Sequence, residues 1–197
     1  MPPQTSRIGK QRYLEIAEGL FTERGYKSVS IRDIAQACGV TNAALYYHFE
    51  NKEALFTEVL ENHAGRLSDH MRQAAAGEMD TQEQVIAMLT EYATLAAHCR
   101  SPLFTLRHKS AGIDKEQARQ QHANLVRGIL MPIEATLNQA VESGELRPLP
   151  EGYSAASLLL GMLHGMFQHR RMCCHEGVAP EDVRIIVDIF WNGMEEK

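Results

Sequence analysis

Long apolar runs, glycine- or proline-rich tracts and aromatic side chains are all scarce in this 197-residue chain, and each shortage removes a class of protein. The most apolar stretch, residues 155–167, is shorter than the roughly 20 residues a bilayer requires and is followed by Gln168-His169-Arg170-Arg171, so it reads as a buried helix. Fourteen glycines and seven prolines, dispersed along the chain, exclude linker-like and collagen-like sequences. The stretch from Met1 to Arg7 lacks the apolar core of a secretory signal, which predicts a cytoplasmic protein with no membrane partner. Cysteines are few: Cys38, Cys99, Cys173 and Cys174 are expected to be reduced thiols in that compartment. No serine–histidine–acid order, phosphate-binding glycine loop or paired-carboxylate motif stands out, so no residue pattern points to a catalytic site or a cofactor.

What is present is the composition of a folded chain, 44% hydrophobic and 23% charged. The net charge of −5 alone argues against a nucleic-acid partner, but its distribution does not. Residues 1–49 carry six basic side chains (Arg7, Lys10, Arg12, Arg24, Lys27, Arg32) against four acids, whereas the remainder carries 14 against 21. A mildly basic amino-terminal module on an acidic body follows. Apolar residues recur at helical spacing, as in Tyr13, Ile16, Ala17, Leu20 and Phe21, and no segment alternates long enough to make a strand. The spacing predicts an all-α fold of about nine helices. The expected ranges are 9–24, 31–38, 42–48, 52–76, 81–98, 101–108, 115–143 with Pro132 as a kink, 151–174 and 180–194. Thr81 with Gln84 is the expected cap of the fifth.

Residues 30–49 carry the sharpest signal. Ala35 is small where two helices would cross, and Gly39 suits the positive φ of a turn only three or four residues long. Ile34, Val40, Leu45 and Phe49 are spaced to point inward. Thr41 then opens a short helix whose outward positions are Asn42, Ala43, Ala44, Tyr46 and Tyr47. Helix-turn-helix is the reading. The plainer alternative is a helical hairpin in which Gly39 serves only as a C-cap.

The stretch from Tyr13 to Leu60 resembles the TetR family of bacterial transcriptional regulators. The motifs that carry the resemblance are Ala17-Glu18-Gly19-Leu20-Phe21, Gly25-Tyr26, Val29-Ser30-Ile31-Arg32-Asp33-Ile34-Ala35, Gly39-Val40-Thr41, Leu45-Tyr46-Tyr47-His48-Phe49 and Asn51-Lys52-Glu53-Ala54-Leu55-Phe56. The resemblance implies a helix-turn-helix DNA-binding domain over residues 1–51, a connecting helix from 52, and a ligand-binding and dimerisation domain over 52–197. It also implies a homodimer formed through the last two helices on a palindromic double-stranded operator, most often a repressor released by a small molecule. Tyr46, Tyr47 and His48 fall where the family commonly meets phosphates, and their donors suit that task. The alternative for these rings is packing around Phe49. Ser30 and Lys52, at the starts of two helices, place a hydroxyl and a cation near phosphates. Asn42 has the geometry for adenine and Arg32 for guanine, while Ala43 and Ala44 offer methyl contact to thymine. Either long side chain is otherwise a solvated surface group.

In the body, Met88, Tyr92, Phe104, Met131, Leu163 and Phe167 supply an adaptable apolar lining, and His108 and His164 are the polar candidates beside them. An apolar or amphipathic ligand is expected, against the plainer reading of these side chains as core. Val183, Ile186, Val187, Phe190 and Trp191, with Leu158, Leu159 and Met162, are the apolar surface expected to face a second copy. His169, Cys173, Cys174 and His175 leave open a redox- or metal-responsive regulator, although adjacent cysteines do not bridge without strain and no spaced ligand set accompanies them, so no metal is expected. A helical enzyme is the alternative from another class.

Overall fold

The computed structural model describes residues 9–98, 115–172 and 178–194. Its backbone follows the order α1 (Lys10–Arg24), a single 3-10 turn (Tyr26–Ser28), α2 (Ile31–Cys38), α3 (Asn42–His48), α4 (Lys52–Ala74), α5 (Thr81–His98), α6 (Lys115–Glu142), α7 (Ala155–Met172) and α8 (Pro180–Met194). No strand occurs among the described residues, so the fold is all-α. The short helix expected over 101–108 lies outside them.

Helix ends follow local hydrogen bonding. Gly25, at φ 80°, donates its N–H to the Phe21 carbonyl at 2.9 Å and ends α1. The Asn51 side chain accepts from the Ala54 N–H at 2.8 Å and opens α4, as its sequence position predicts. At α5 the cap is Asp80, whose carboxylate accepts from the Glu83 N–H at 2.8 Å, and the expected Thr81–Gln84 box is not formed: Gln84 donates to the Met79 carbonyl instead. α7 starts at Ala155, four residues later than the apolar pattern suggests. Ser154 caps it by accepting from the Ser157 N–H at 3.0 Å, and Glu134 of α6 accepts from the Ser154 hydroxyl at 2.7 Å and from the Ala156 N–H at 3.2 Å. That carboxylate at a helix N-terminus is favourably placed in the field of the free amides.

The described chain forms two compact units, one of residues 9–64 with 115–125, the other of residues 65–98, 126–172 and 178–194. In the first, Tyr13, Ala17 and Phe21 of α1 pack with Ile34, Ala35 and Cys38 of α2, Leu45 of α3, Phe49, and Leu55, Phe56 and Val59 of α4. Burial pushes the Cys38 thiol above its ordinary range, with Arg12 pulling weakly the other way. In the second unit, Val85 and Leu89 of α5, Ile129, Ile133 and Leu137 of α6, Leu159 and Leu163 of α7 and Val183, Val187 and Phe190 of α8 are buried. α5 and α8 are joined by a two-point contact of Arg184 with Glu83 (2.5 and 3.0 Å) and by a Gln82–Asp188 hydrogen bond of 2.8 Å. Arg170 of α7 pairs with Asp182 of α8. Such partly exposed pairs set register more than they add stability.

The apolar stripe on the last helix belongs to this unit. Val183, Ile186, Val187, Phe190 and Trp191 are each less than a tenth exposed, as is Leu159 on α7, so that part of the surface expected to face a second copy lies in the chain's own core, while Leu158 and Met162 of the same expected surface stay exposed. The exposed apolar residues on these two helices are Leu158, Met162, Ile185 and Ile189.

Candidate DNA interface and ligand-binding residues

Gly39 ends α2 at φ 68° and ψ 29°, a left-handed conformation that other L-residues adopt at a cost, and the Val40 N–H closes the turn on the Ala35 carbonyl at 3.0 Å. Thr41 caps α3 by accepting from the Ala44 N–H at 3.3 Å, which leaves its own hydroxyl proton to donate. Leu45 and Phe49 are sunk in the core, and this fixes what remains outside. Asn42, Ala43, Tyr46, Tyr47 and His48 are exposed, Tyr47 most of all at 86%, and Ala44 is half-buried. Arg32 on α2 is exposed as well. Arg32, Asn42, Ala43, Tyr46, Tyr47 and His48 therefore share the two short helices and open on solvent.

Their chemistry is partly committed. The Ser30 hydroxyl donates to Asp33 at 2.6 Å and accepts from the Asp33 N–H at 3.2 Å, a reciprocal capping box completed by the Ser30 N–H donating to the same carboxylate at 2.7 Å. These bonds from Ser30 hold the Asp33 carboxyl below the usual carboxylate range. His48 lies among rings, 5.4 Å from Tyr13 and edge-on to Tyr47 at 5.1 Å. Lys52 is half-buried, with its ammonium 4.0 Å from the centre of the Tyr26 ring. Burial draws that ammonium below the ordinary lysine range and the Asp33 carboxylate draws it back. Burial, and behind it Glu53, raises the Tyr26 phenol. Tyr26 and Asp33 were not among the candidates from sequence. The Gly25-Tyr26 motif is a visible signal, but its link to a lysine 26 positions on is not.

In the second unit, Tyr92 of α5 and His164 of α7 share a hydrogen bond of 2.8 Å, and Phe167 stands 6.4 Å from the His164 ring. Burial pushes the Tyr92 phenol up to about 12. Three of the ligand candidates are thus brought together, while Met88 and Leu163 are buried core. Met131 stands apart from buried Ile129 and Ile133 on α6 and is 58% exposed. Phe104, His108, Cys173 and Cys174 lie outside the described residues. Sequence reasoning passed over Ser68 of α4, whose buried hydroxyl has no hydrogen-bond partner. It also passed over an open cleft of about 550 Å³ floored by Ala74, Ile86, Ala87 and Pro180. Among the described residues no helix is long and apolar enough to cross a membrane.

Residues 14–59, the segment that builds this interface, match the family model described as bacterial regulatory proteins, tetR family. The transcriptional repressor KstR2 of Rhodococcus jostii is 34% identical over 93 residues, 45% of this chain, and that match spans a little under half, 46%, of the repressor. The regulator TtgR of Pseudomonas putida is 27% identical over 186 residues, covering 91% of this chain and 85% of TtgR. Among solved structures, the regulator FadR of Bacillus subtilis, in complex with stearoyl-CoA, superposes with a TM-score of 0.72 at 17% identity, covering 95% of this chain and all of FadR. The regulator PfmR of Thermus thermophilus gives 0.60 at 28% identity over 94% of this chain and all of PfmR. Residues 14–59 thus carry the amino-terminal domain of the tetR family, and the relatives matched over most of this chain are transcriptional regulators.

Proposed function

We propose that this regulator binds a palindromic operator in double-stranded DNA as a homodimer, acts there as a repressor, and is released by a small apolar or amphipathic ligand in the cytoplasm. Residues 1–51 are its DNA-binding domain, the helix from 52 is the connector, and 52–197 bind ligand and dimerise. The observation that carries the reading is the outward face of α3, where Asn42, Ala43, Tyr46 and Tyr47 stand exposed on a helix seven residues long that Leu45 pins to the core. Exposed tyrosines on so small an element make sense as contacts to a partner. Asn42 and Arg32 are the base-reading side chains in this reading, with Ser30, Thr41, Tyr46, Tyr47, His48 and Lys52 on the backbone and Ala43 and Ala44 against thymine methyls.

Support for a ligand comes from Tyr92, His164 and Phe167, which combine a rigid hydrogen-bonded pair with an aromatic face, as an amphipathic molecule would use. Support for a dimer comes from Leu158 and Met162 on α7 and Ile185 and Ile189 on α8, two exposed apolar pairs each four residues apart. Two facing copies would bury them in a four-helix bundle. Ligand that binds best to the form with wrongly spaced recognition helices must, by linkage, weaken DNA binding.

The test is selection of bound duplexes from a random library by the full-length protein, followed by titration of the selected duplex. A two-fold symmetric site, with half-sites centred about 34–36 Å apart, is expected. Recovery of no shared sequence at low salt would sink the reading.

A further inference from the structure

A lysine carries its charge on a flexible stem, and an exposed one meets a phosphate only after giving up that freedom. Lys52 is held before any DNA arrives. Its ammonium sits 4.0 Å from the centre of the Tyr26 ring, well within the range at which an aromatic face attracts a cation. The ring in turn is fixed by the core, 4.5 Å from Phe56 and 5.6 Å from Phe21, both of which are buried. Tyr26 occupies the 3-10 turn between α1 and α2, whereas Lys52 is the first residue of α4, so the contact ties together two segments that meet only in the folded unit. The carboxylate of Asp33, in the first turn of α2, acts on the same ammonium.

We propose that Tyr26 is a positioning residue for DNA binding: its ring holds the Lys52 ammonium at the start of α4, aimed so that a backbone phosphate completes its surroundings. The inference rests on the reading of Lys52 as a phosphate contact, and the two fail in different ways. Tyr26 itself need not touch DNA. Its phenolic oxygen is dispensable for this task and its ring is not.

The experiment is a double-mutant cycle on the full chain, read as affinity for a mixed-sequence DNA duplex at low salt, with melting temperatures taken alongside. Lys52→Met keeps the stem and removes the charge, and should weaken binding and flatten its salt dependence by about one released counterion per protomer. Tyr26→Leu should weaken binding about two- to fivefold with Lys52 present and leave it unchanged in the Lys52→Met background. Tyr26→Phe should bind as the parent does. Because Tyr26→Leu also disturbs the core, a second measurement uses the parent protein alone: the ε-methylene protons of Lys52 should resonate upfield of the other lysines, under the ring current of Tyr26. Equal weakening by Tyr26→Leu in both backgrounds, or an unshifted Lys52 resonance, would overturn the positioning role while leaving the phosphate contact standing. Unchanged binding by Lys52→Met would overturn both.

Discussion

Asn42 and Tyr47 stand five residues apart on one helix and are expected to behave differently when removed. Asn42→Ala should lose discrimination at a single base pair by about 1–3 kcal/mol while keeping affinity for unrelated DNA, because an amide can read adenine through two bonds. Tyr47→Phe should weaken all sequences alike, since a phosphate contact carries no sequence information. Binding to the selected site and to single-base variants separates the two, and uniform weakening by Asn42→Ala would remove it from the reading role. Tyr92 gives a prediction in the second unit. Its folded value of about 12 lies above the ordinary 10, so the neutral phenol is favoured in the fold. The stability this lends is whole below pH 10 and is lost as pH rises from 10 towards 12. An ultraviolet titration of phenolate should show that the last tyrosine to ionise in the parent is missing in Tyr92→Phe. At this scale the sequence was legible where one helical period settles direction: with Leu45 and Phe49 inward, Asn42, Tyr46 and Tyr47 must face out. It was not legible for Met131, which is apolar but two residues off the stripe of Ile129, Ile133 and Leu137.

Whole elements were easiest to read where both ends are written locally. α2 and α3 begin and end where expected because Ser30, Gly39 and Thr41 are their own punctuation. α7 was misjudged at its start because Glu134, 20 residues before Ser154, completes its cap. Gly39→Ala tests the turn: an added Cβ meets nothing within 4 Å, so its cost is conformational, about 1–2 kcal/mol by denaturant unfolding. A larger loss would mean that the turn is held by packing instead. The capping box at α2 makes that helix sensitive to acid. Asp33 has a folded value below its ordinary one, so its stabilisation is complete above the usual aspartate range and fades as pH falls through the folded value. The melting temperature of Asp33→Asn should therefore fall below that of the parent at neutral pH and converge with it in acid.

The assembly of elements into one molecule was the least legible level, since it depends on pairings far apart in sequence. Apolar side chains on α8 were recognised, but which of them the chain would bury itself turned on α5 and α7, contacts that no periodicity encodes. The exposed pairs make the dimer testable. Ile189→Glu with Leu158→Glu should leave helicity intact, turn a dimer into a monomer by light scattering, and reduce operator affinity by orders of magnitude. A parent that is already monomeric at micromolar concentration would refute the dimer. Cys38 offers a means of watching the molecule work. Its thiol is 4% exposed on the inner side of α2 and held protonated by burial, so a maleimide can reach it only when the helix-turn-helix opens. Its labelling rate, followed by peptide mass mapping, is a clock for that opening. Bound DNA should slow the clock.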